Sequence, residues 1–157
     1  MIKKLFSGCF VIIVFIVLLQ GCMPKPVDNK KNYENGANEF NKISEIIFGM
    51  YDDGVIDYTT ILNLSDIEQF SGSEEALNDE SLYNLLITIR KNYEINTVYI
   101  VDSNVILYSA GGFFQSVSGI VKTRNNPELV RDWHIGTDGA ITYEQIAENT
   151  YIFSDGL

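Results

Sequence analysis

The chain has few of the residues that do most metal and nucleophilic chemistry. Its 157 residues include one histidine, His134, and two cysteines. An HExxH helix or a zinc site made only of His and Cys ligands needs more of them. His134 leaves a Ser-His-Asp triad formally open, but no serine stands in a Gly-x-Ser-x-Gly turn. We interpret Trp133-His134 as a pair that packs a loop over the sheet, and we predict no catalytic residue.

Phosphate-binding loops are also missing. No Gly-x-Gly-x-x-Gly or P-loop pattern occurs, and Gly111-Gly112 is not followed by a helical pattern whose amino terminus would hold phosphate. This glycine pair is typical of a bend between strands. The sequence therefore predicts no nucleotide cofactor.

Positive charge is absent from a long internal segment. Between Lys42 and Arg90 there is no Lys or Arg, whereas ten acidic residues fall there. Seven of these form a candidate partner surface, namely Asp52, Asp53, Asp57, Asp66, Glu68, Glu74 and Glu75. Three interpretations stay open: a solvated face, a surface for a basic protein, or a cation site. The sequence Asp52-Asp53-Gly54 followed by Asp57 does not match the EF-hand spacing, so no metal site is predicted.

The amino-terminal stretch has the composition of an export signal. Lys3 and Lys4 precede a run of 15 uncharged residues, Leu5–Leu19. A membrane-spanning helix needs about 20 apolar residues, but this run is shorter and is soon followed by Pro24 and Pro26.

The run ends in Leu19-Gln20-Gly21-Cys22, which resembles the lipobox of bacterial lipoprotein precursors. In that family an aliphatic residue, a tolerant position, a small residue and an invariant cysteine occur in this order; Gln20 departs from the residue usual at the second position. The resemblance implies that residues 1–21 are a signal peptide cleaved between Gly21 and Cys22, and that the Cys22 thiol carries a diacylglyceryl group. The alternatives are an uncleaved membrane helix and a secretory signal in which Cys22 is incidental.

The same resemblance implies a location. Further acylation, such as palmitate on the new amino terminus, makes the anchor stable, since one chain binds weakly at about 0.8 kcal/mol per buried CH₂. We therefore expect a protein on the extracytoplasmic side of the cell membrane, with the membrane bound through Cys22. Met23 is not the aspartate that retains many lipoproteins at an inner membrane, which suggests the outer membrane where the host has one.

Cleavage would leave a more acidic chain without a free thiol. Lys3 and Lys4 leave with the signal, so nine Lys and Arg face 21 Asp and Glu, a formal charge of −12. This balance argues against nucleic acid as a partner. Because Cys9 leaves with the signal and Cys22 is lipidated, a disulfide and a Cys-His nucleophile pair are both excluded.

The remaining chain predicts one α+β domain over 32–157, on a flexible tether at 22–31 that includes the lipidated cysteine. A first amphipathic helix ends near Asp52 and carries apolar residues at steps of three and four: Tyr33, Ala37, Phe40, Ile43, Ile47 and Met50. A second runs over 79–93 with Asn78 or Asp79 as its cap. Between them, Val55–Leu64 predicts a short strand or extended segment, and Ser65-Asp66-Ile67-Glu68 a capping box that starts one helical turn.

After Asn96 the apolar pattern changes to that of strands. We predict an antiparallel meander of about five strands with both helices on one face of the sheet. A turn or short helix beginning at Pro127 interrupts it. The predicted strands are Thr97–Val101, Val105–Ala110, Phe114–Thr123, Ala140–Ala147 and Thr150–Phe153, the last two joined at Glu148-Asn149.

The leading functional hypothesis is a lipid-anchored, non-enzymatic binding module of the cell envelope. A narrower hypothesis is an acidic inhibitor or immunity-type lipoprotein directed against a basic toxin or enzyme. The rival hypothesis is an envelope hydrolase acting on cell-wall material.

Overall fold

The computed structural model describes residues 27–58, 60–66, 70–110, 118–124 and 141–155. Helices and a six-stranded antiparallel sheet make up these residues, which confirms the α+β class. No helix within the described ranges is long and apolar enough to cross a membrane. In chain order the elements are α1 (Asn29–Asp52), β1 (Ile61–Asn63), α2 (Glu74–Asn78), α3 (Glu80–Tyr93), β2 (Ile95–Asp102), β3 (Val105–Ala110), β4 (Ser118–Thr123), β5 (Ile141–Ala147) and β6 (Thr150–Asp155).

The first helix begins earlier than the sequence pattern indicates. The Asp28 side chain accepts a hydrogen bond from the backbone N–H of Lys31 at 3.1 Å and caps the helix at Asn29. Residues 29–31, which the sequence places in the tether, are therefore helical. Burial of the predicted apolar face at Tyr33, Phe40, Ile43 and Ile47 confirms the periodicity.

A close contact with the second long helix interrupts α1 at Gly36. This glycine has non-helical angles, φ −120° and ψ 18°, and a Cβ built on it would overlap the Tyr93 ring of α3. Tyr93 also donates a hydrogen bond from its hydroxyl to the Asn35 carbonyl at 3.3 Å. Asn32 Nδ2 donates to the Tyr93 carbonyl at 2.9 Å. Only glycine allows the two helices to approach this closely without a shift.

The segment between the long helices is only partly as predicted. β1 falls within the predicted extended segment, but Ile67 and Glu68 of the capping box lie outside the described residues. A short helix that the sequence did not predict, α2, is capped by Ser73, whose Oγ accepts from Ala76 N at 3.3 Å. The cap predicted for α3 is confirmed, since Asp79 Oδ1 accepts from Leu82 N at 2.7 Å.

The strands follow a meander only as far as β4. Their order in the sheet is β1-β2-β3-β4-β6-β5, so β6 rather than β5 pairs with β4. The predicted hairpin at Glu148-Asn149 is confirmed, and Asn149 adopts the left-handed conformation (φ 53°) that this residue tolerates in turns.

The sheet carries apolar residues on both faces. Ile106 and Tyr108 of β3 belong to the main core with the helices, whereas Val105 and Leu107 alternate with them in a second buried cluster. Such a strand reads as a continuous apolar run because neither face is solvated. β3 therefore lies in the buried centre of the sheet.

Candidate functional site

Gly21 and Cys22, which are predicted to carry the lipid anchor, lie outside the described part of the chain. Glu68 of the predicted partner surface and the Trp133-His134 pair also lie outside it. Cleavage and lipidation at Cys22 therefore stay predictions from the sequence. The other residues of the predicted partner surface can be placed.

The acidic residues fall on two parts of the fold. Asp52 ends α1, and Asp53 and Asp57 follow it in the connection to β1. Asp66 follows β1, and the last two acids of the set, Glu74 and Glu75, form the first turn of α2. All six side chains are exposed. The structure shows, however, that they do not share one role.

Asp52 is committed to an ion pair. Arg124, which follows β4, donates from Nη1 and Nη2 to its two carboxylate oxygens, each at 2.6 Å. The hydrogen bonds from Arg124 hold the pKa of Asp52 below its usual value, and those to Asp52 raise the pKa of Arg124. Arg124 Nε also donates to the Ser103 carbonyl, and its guanidinium lies 4.7 Å from the centre of the Phe48 ring. The pair joins α1 to β4 and to the turn between β2 and β3.

Glu75 has a local structural role. Hydrogen bonds from its own backbone N–H and from Ser73 Oγ, at 2.9 Å, lower the pKa of its carboxyl group. Glu74 beside it is exposed at the same helix start. Carboxylates in the first turn suit the positive end of the helix dipole. Their position is therefore explained by the stability of α2 without a partner.

The connection from α1 to β1 has a different character. Val55, Tyr58 and Ile61 are the large apolar residues found exposed within the described ranges, at 43, 65 and 49%. They fall within seven consecutive positions, among the carboxylates of Asp53 and Asp57. We call these five residues the Tyr58 surface. The sequence predicted a short strand or extended segment over Val55–Leu64, and of its strand-favouring residues Val55, Ile56 and Tyr58 only Ile56 is buried.

Hydrogen bonds to the adjoining elements position this surface. Val55 N donates to the Met50 carbonyl of α1 at 2.9 Å. Thr60 N donates to the Asp57 carbonyl at 3.0 Å, and Thr60 Oγ1 accepts from Asp57 N at 3.2 Å. Ile100 N of β2 donates to the Thr60 carbonyl at 3.2 Å. Tyr58 is therefore displayed at the tip of a turn that is tied to both the helix and the sheet.

The local charge is unusual for a helix end. The last turn of α1 has no basic residue, and Asp52 and Asp53 lie at its carboxyl end. That end carries the negative pole of the helix dipole, where acidic side chains are unfavourable. Arg124 compensates Asp52, but Asp53 adds its charge to the pole. The Tyr58 surface therefore adjoins the negative pole of α1 and includes the charge of Asp53.

A cavity of about 400 Å³ lies near the other end of α1. Its walls include Val27, Asn29, Tyr143 and Phe153, and a volume of this size is typical of small-ligand sites. Two of the charged side chains at its edge pair with each other, Lys30 Nζ with Glu144 Oε1 at 3.1 Å. Asn29 Oδ1 has no partner in the described part of the chain, but it is fully buried and so offers no accessible contact. The Tyr58 surface is the better candidate.

The sequence analysis did not predict that Lys122 is buried. Lys122 of β4 is 8% exposed, and its Nζ donates to Asn41 Oδ1 at 2.8 Å and Thr150 Oγ1 at 2.7 Å. The same atom lies 5.5 Å from the centre of the Tyr33 ring. Only its place in the apolar alternation of β4 pointed to burial. These contacts fasten α1 to the sheet.

No cluster of His, Cys, Asp and Glu that could hold a metal occurs among the residues described.

Comparison with known protein-family models, curated proteins and solved structures finds no match for this chain.

Proposed function

We propose that the protein is a lipid-anchored, non-enzymatic binding module of the cell envelope, which holds a protein partner on the extracytoplasmic side of the membrane. The lipobox-like Leu19-Gln20-Gly21-Cys22 supports the anchor. The observation that carries the binding role is the Tyr58 surface, because exposed aromatic and aliphatic side chains with surrounding charge are typical of protein interfaces.

The position of that surface fits an anchored protein. α1 starts seven positions after Cys22 and runs for 24 residues. At 1.5 Å per residue, its ends are about 36 Å apart. The Tyr58 surface follows the carboxyl end of α1, which is the end farther along the chain from Cys22. A domain that held α1 upright on the membrane would therefore present this surface away from the bilayer.

The acidic segment favours an inhibitor or immunity-type protein as a narrower candidate. Ten acids and no Lys or Arg lie between Lys42 and Arg90. Such a segment attracts a basic toxin or enzyme and disfavours acidic partners through like-charge repulsion.

The anchor is tested by metabolic labelling. Cells supplied with radiolabelled palmitate should label the wild type and not Cys22→Ala. Label in both proteins, or in neither, would contradict the anchoring half of the proposal.

The binding half is tested by affinity purification from envelope extract at low and high salt. We expect a partner that is retained at low salt and released at high salt, since ionic screening shortens the range of surface electrostatics. A partner set indifferent to salt would count against a basic partner. Turnover of cell-wall material that is lost with His134→Ala or with one carboxylate change would instead support the hydrolase.

A further inference from the structure

We infer that the Tyr58 surface is a docking site for a basic segment of a partner protein, with Tyr58 as its central anchor. This inference rests on the proposed binding function and narrows it to one surface and one partner chemistry. It narrows the acidic run of the sequence to the exposed carboxylates beside Tyr58. Asp52 and Glu75 are set aside because their carboxylates already serve the fold.

The exposed apolar side chains of the Tyr58 surface offer area that a partner can bury. A single exposed apolar residue needs no explanation, but Val55, Tyr58 and Ile61 lie close together in the chain and are held by one hydrogen-bonded turn. Tyrosine is enriched at the energetic centres of interfaces because its ring buries a large area at little conformational cost. Its hydroxyl can then satisfy a polar group of the partner. Tyr58, at 65% exposed, has most of its surface left to bury.

The negative charge of the Tyr58 surface favours a basic partner. Asp53 and Asp57 are both exposed on this surface, and the carboxyl end of α1 adds its negative pole. Lys or Arg side chains can lie along an apolar patch with their stems and reach carboxylates with their charged ends. A segment that alternates basic and apolar residues therefore fits both features at once.

The same charge disfavours two other occupants. A second copy of this chain that docked through the same surface would place Asp53 and Asp57 against identical acids, and an anionic bilayer would also repel them. We therefore assign the surface to a basic protein segment.

The test uses mature lipidated protein in non-ionic detergent and short random peptides displayed on phage. Selection should enrich peptides that combine Lys or Arg with aromatic or aliphatic residues. By fluorescence anisotropy, Tyr58→Ala should weaken the best binder about tenfold or more, as expected for an interface anchor. Tyr58→Phe should retain most of the affinity.

Charge is tested with a matched pair at opposite ends of α1. Asp53→Asn should weaken the same peptide severalfold, and the loss should shrink between about 50 mM and about 300 mM salt because screening increases. Glu34→Gln removes the same charge from an exposed position in the first half of the helix and should leave binding unchanged. No variant should melt below the wild type, because all three side chains are exposed.

Several outcomes would overturn the inference. Enriched peptides without basic residues, or basic peptides that bind Tyr58→Ala and Asp53→Asn as well as the wild type, refute this surface while leaving a binding module intact. Self-association that disappears with Tyr58→Ala would assign the surface to a second copy. Selection of no peptide would count against both this surface and the proposed binding function, whereas the palmitate experiment judges the anchor separately.

Discussion

Arg124 and Asp52, 72 positions apart in the chain, meet through two parallel hydrogen bonds of 2.6 Å. The geometry is the bidentate fork that guanidinium and carboxylate groups prefer. It closes the end of α1 against the end of β4, next to the connection that carries Tyr58. One basic side chain therefore joins the acidic segment to the end of the sheet.

Asp52→Asn should lower stability at neutral pH and not at acidic pH. The lowered pKa of Asp52 means that its stabilising effect is present above the unfolded value of 3.8 and is lost as pH falls through the lower folded value. Urea denaturation at neutral pH should show a modestly lower midpoint, and the difference should vanish at strongly acidic pH.

Asp53→Asn is the matched control for that measurement. Its carboxylate lies at the same helix end, where it opposes the dipole. The substitution should leave the midpoint unchanged or slightly raise it. Equal losses at both positions would show that the Arg124 pair has no particular effect on stability.

Gly36→Ala should destabilise the protein by about 1 to 3 kcal/mol, as overpacking does in well-filled cores. The new methyl group would meet the Tyr93 ring, whose Cζ and hydroxyl oxygen lie 2.5 and 2.8 Å from its position. Chemical denaturation monitored by far-UV circular dichroism measures the loss.

Gly49→Ala, in the same helix, should do the opposite. No atom lies within 4 Å of the added Cβ, and glycine is a poor residue within a helix. A gain of about 0.5 to 1 kcal/mol is expected. Similar effects of the two substitutions would contradict the close contact between α1 and α3.

Tyr108→Phe should reduce the sensitivity of the fold to alkali. Burial raises the pKa of Tyr108, and the hydrogen bond with Ser44 at 2.7 Å offsets this only in part. Its contribution is thus fully present below the unfolded value of 10.0 and is lost as pH rises towards the higher folded value. The alkaline limb of the wild-type stability curve should be steeper than that of the variant.

At neutral pH the same substitution should cost about 0.5 to 1.5 kcal/mol, the usual net value of one buried hydrogen bond. The cost stays in this range because Ser44 Oγ retains its bond to the Phe40 carbonyl at 2.8 Å. Urea midpoints across the pH series check both statements, and parallel alkaline limbs would contradict the role of Tyr108.

Cys22→Ala should change the location of the protein without changing its stability. We expect the variant to leave the membrane fraction while its denaturation midpoint stays that of the wild type, because the described helices and sheet bury an apolar core of their own. Cell fractionation and circular dichroism provide the two readouts. A variant that stays in the membrane fraction would point to the uncleaved helix, and one that unfolds would show that the anchor supports the domain.

Periodicity and caps predicted the long helices well. Phe40, Ile43 and Ile47 share the buried side of α1, and Asp79 caps α3, because both patterns depend on neighbours within a few positions. The order of the last hairpin could not be read this way. Whether β5 or β6 pairs with β4 depends on contacts between distant segments that share the same apolar alternation.

The candidate site was predicted only by its charge. The lack of Lys and Arg from residue 43 to residue 89 marks an acidic segment, but it cannot distinguish Asp52, which Arg124 neutralises, from Asp53, which forms no ion pair with a described residue. Nor could the sequence place Tyr58 on the surface, because Val, Ile and Tyr equally favour a buried strand. The ion pair and the turn arise only when segments far apart in sequence meet.

The placement of β6 between β4 and β5 affects how the sheet is assembled. Strands β2 to β4 can each join the strand made just before, whereas β5 pairs with β6 in the described sheet and must wait for it. Until then the edge of β4 presents unpaired backbone groups, which are a template for aggregation. Truncation at Glu148-Asn149 would therefore remove the partner of two strands at once, leaving the earlier part of the sheet open to association between chains.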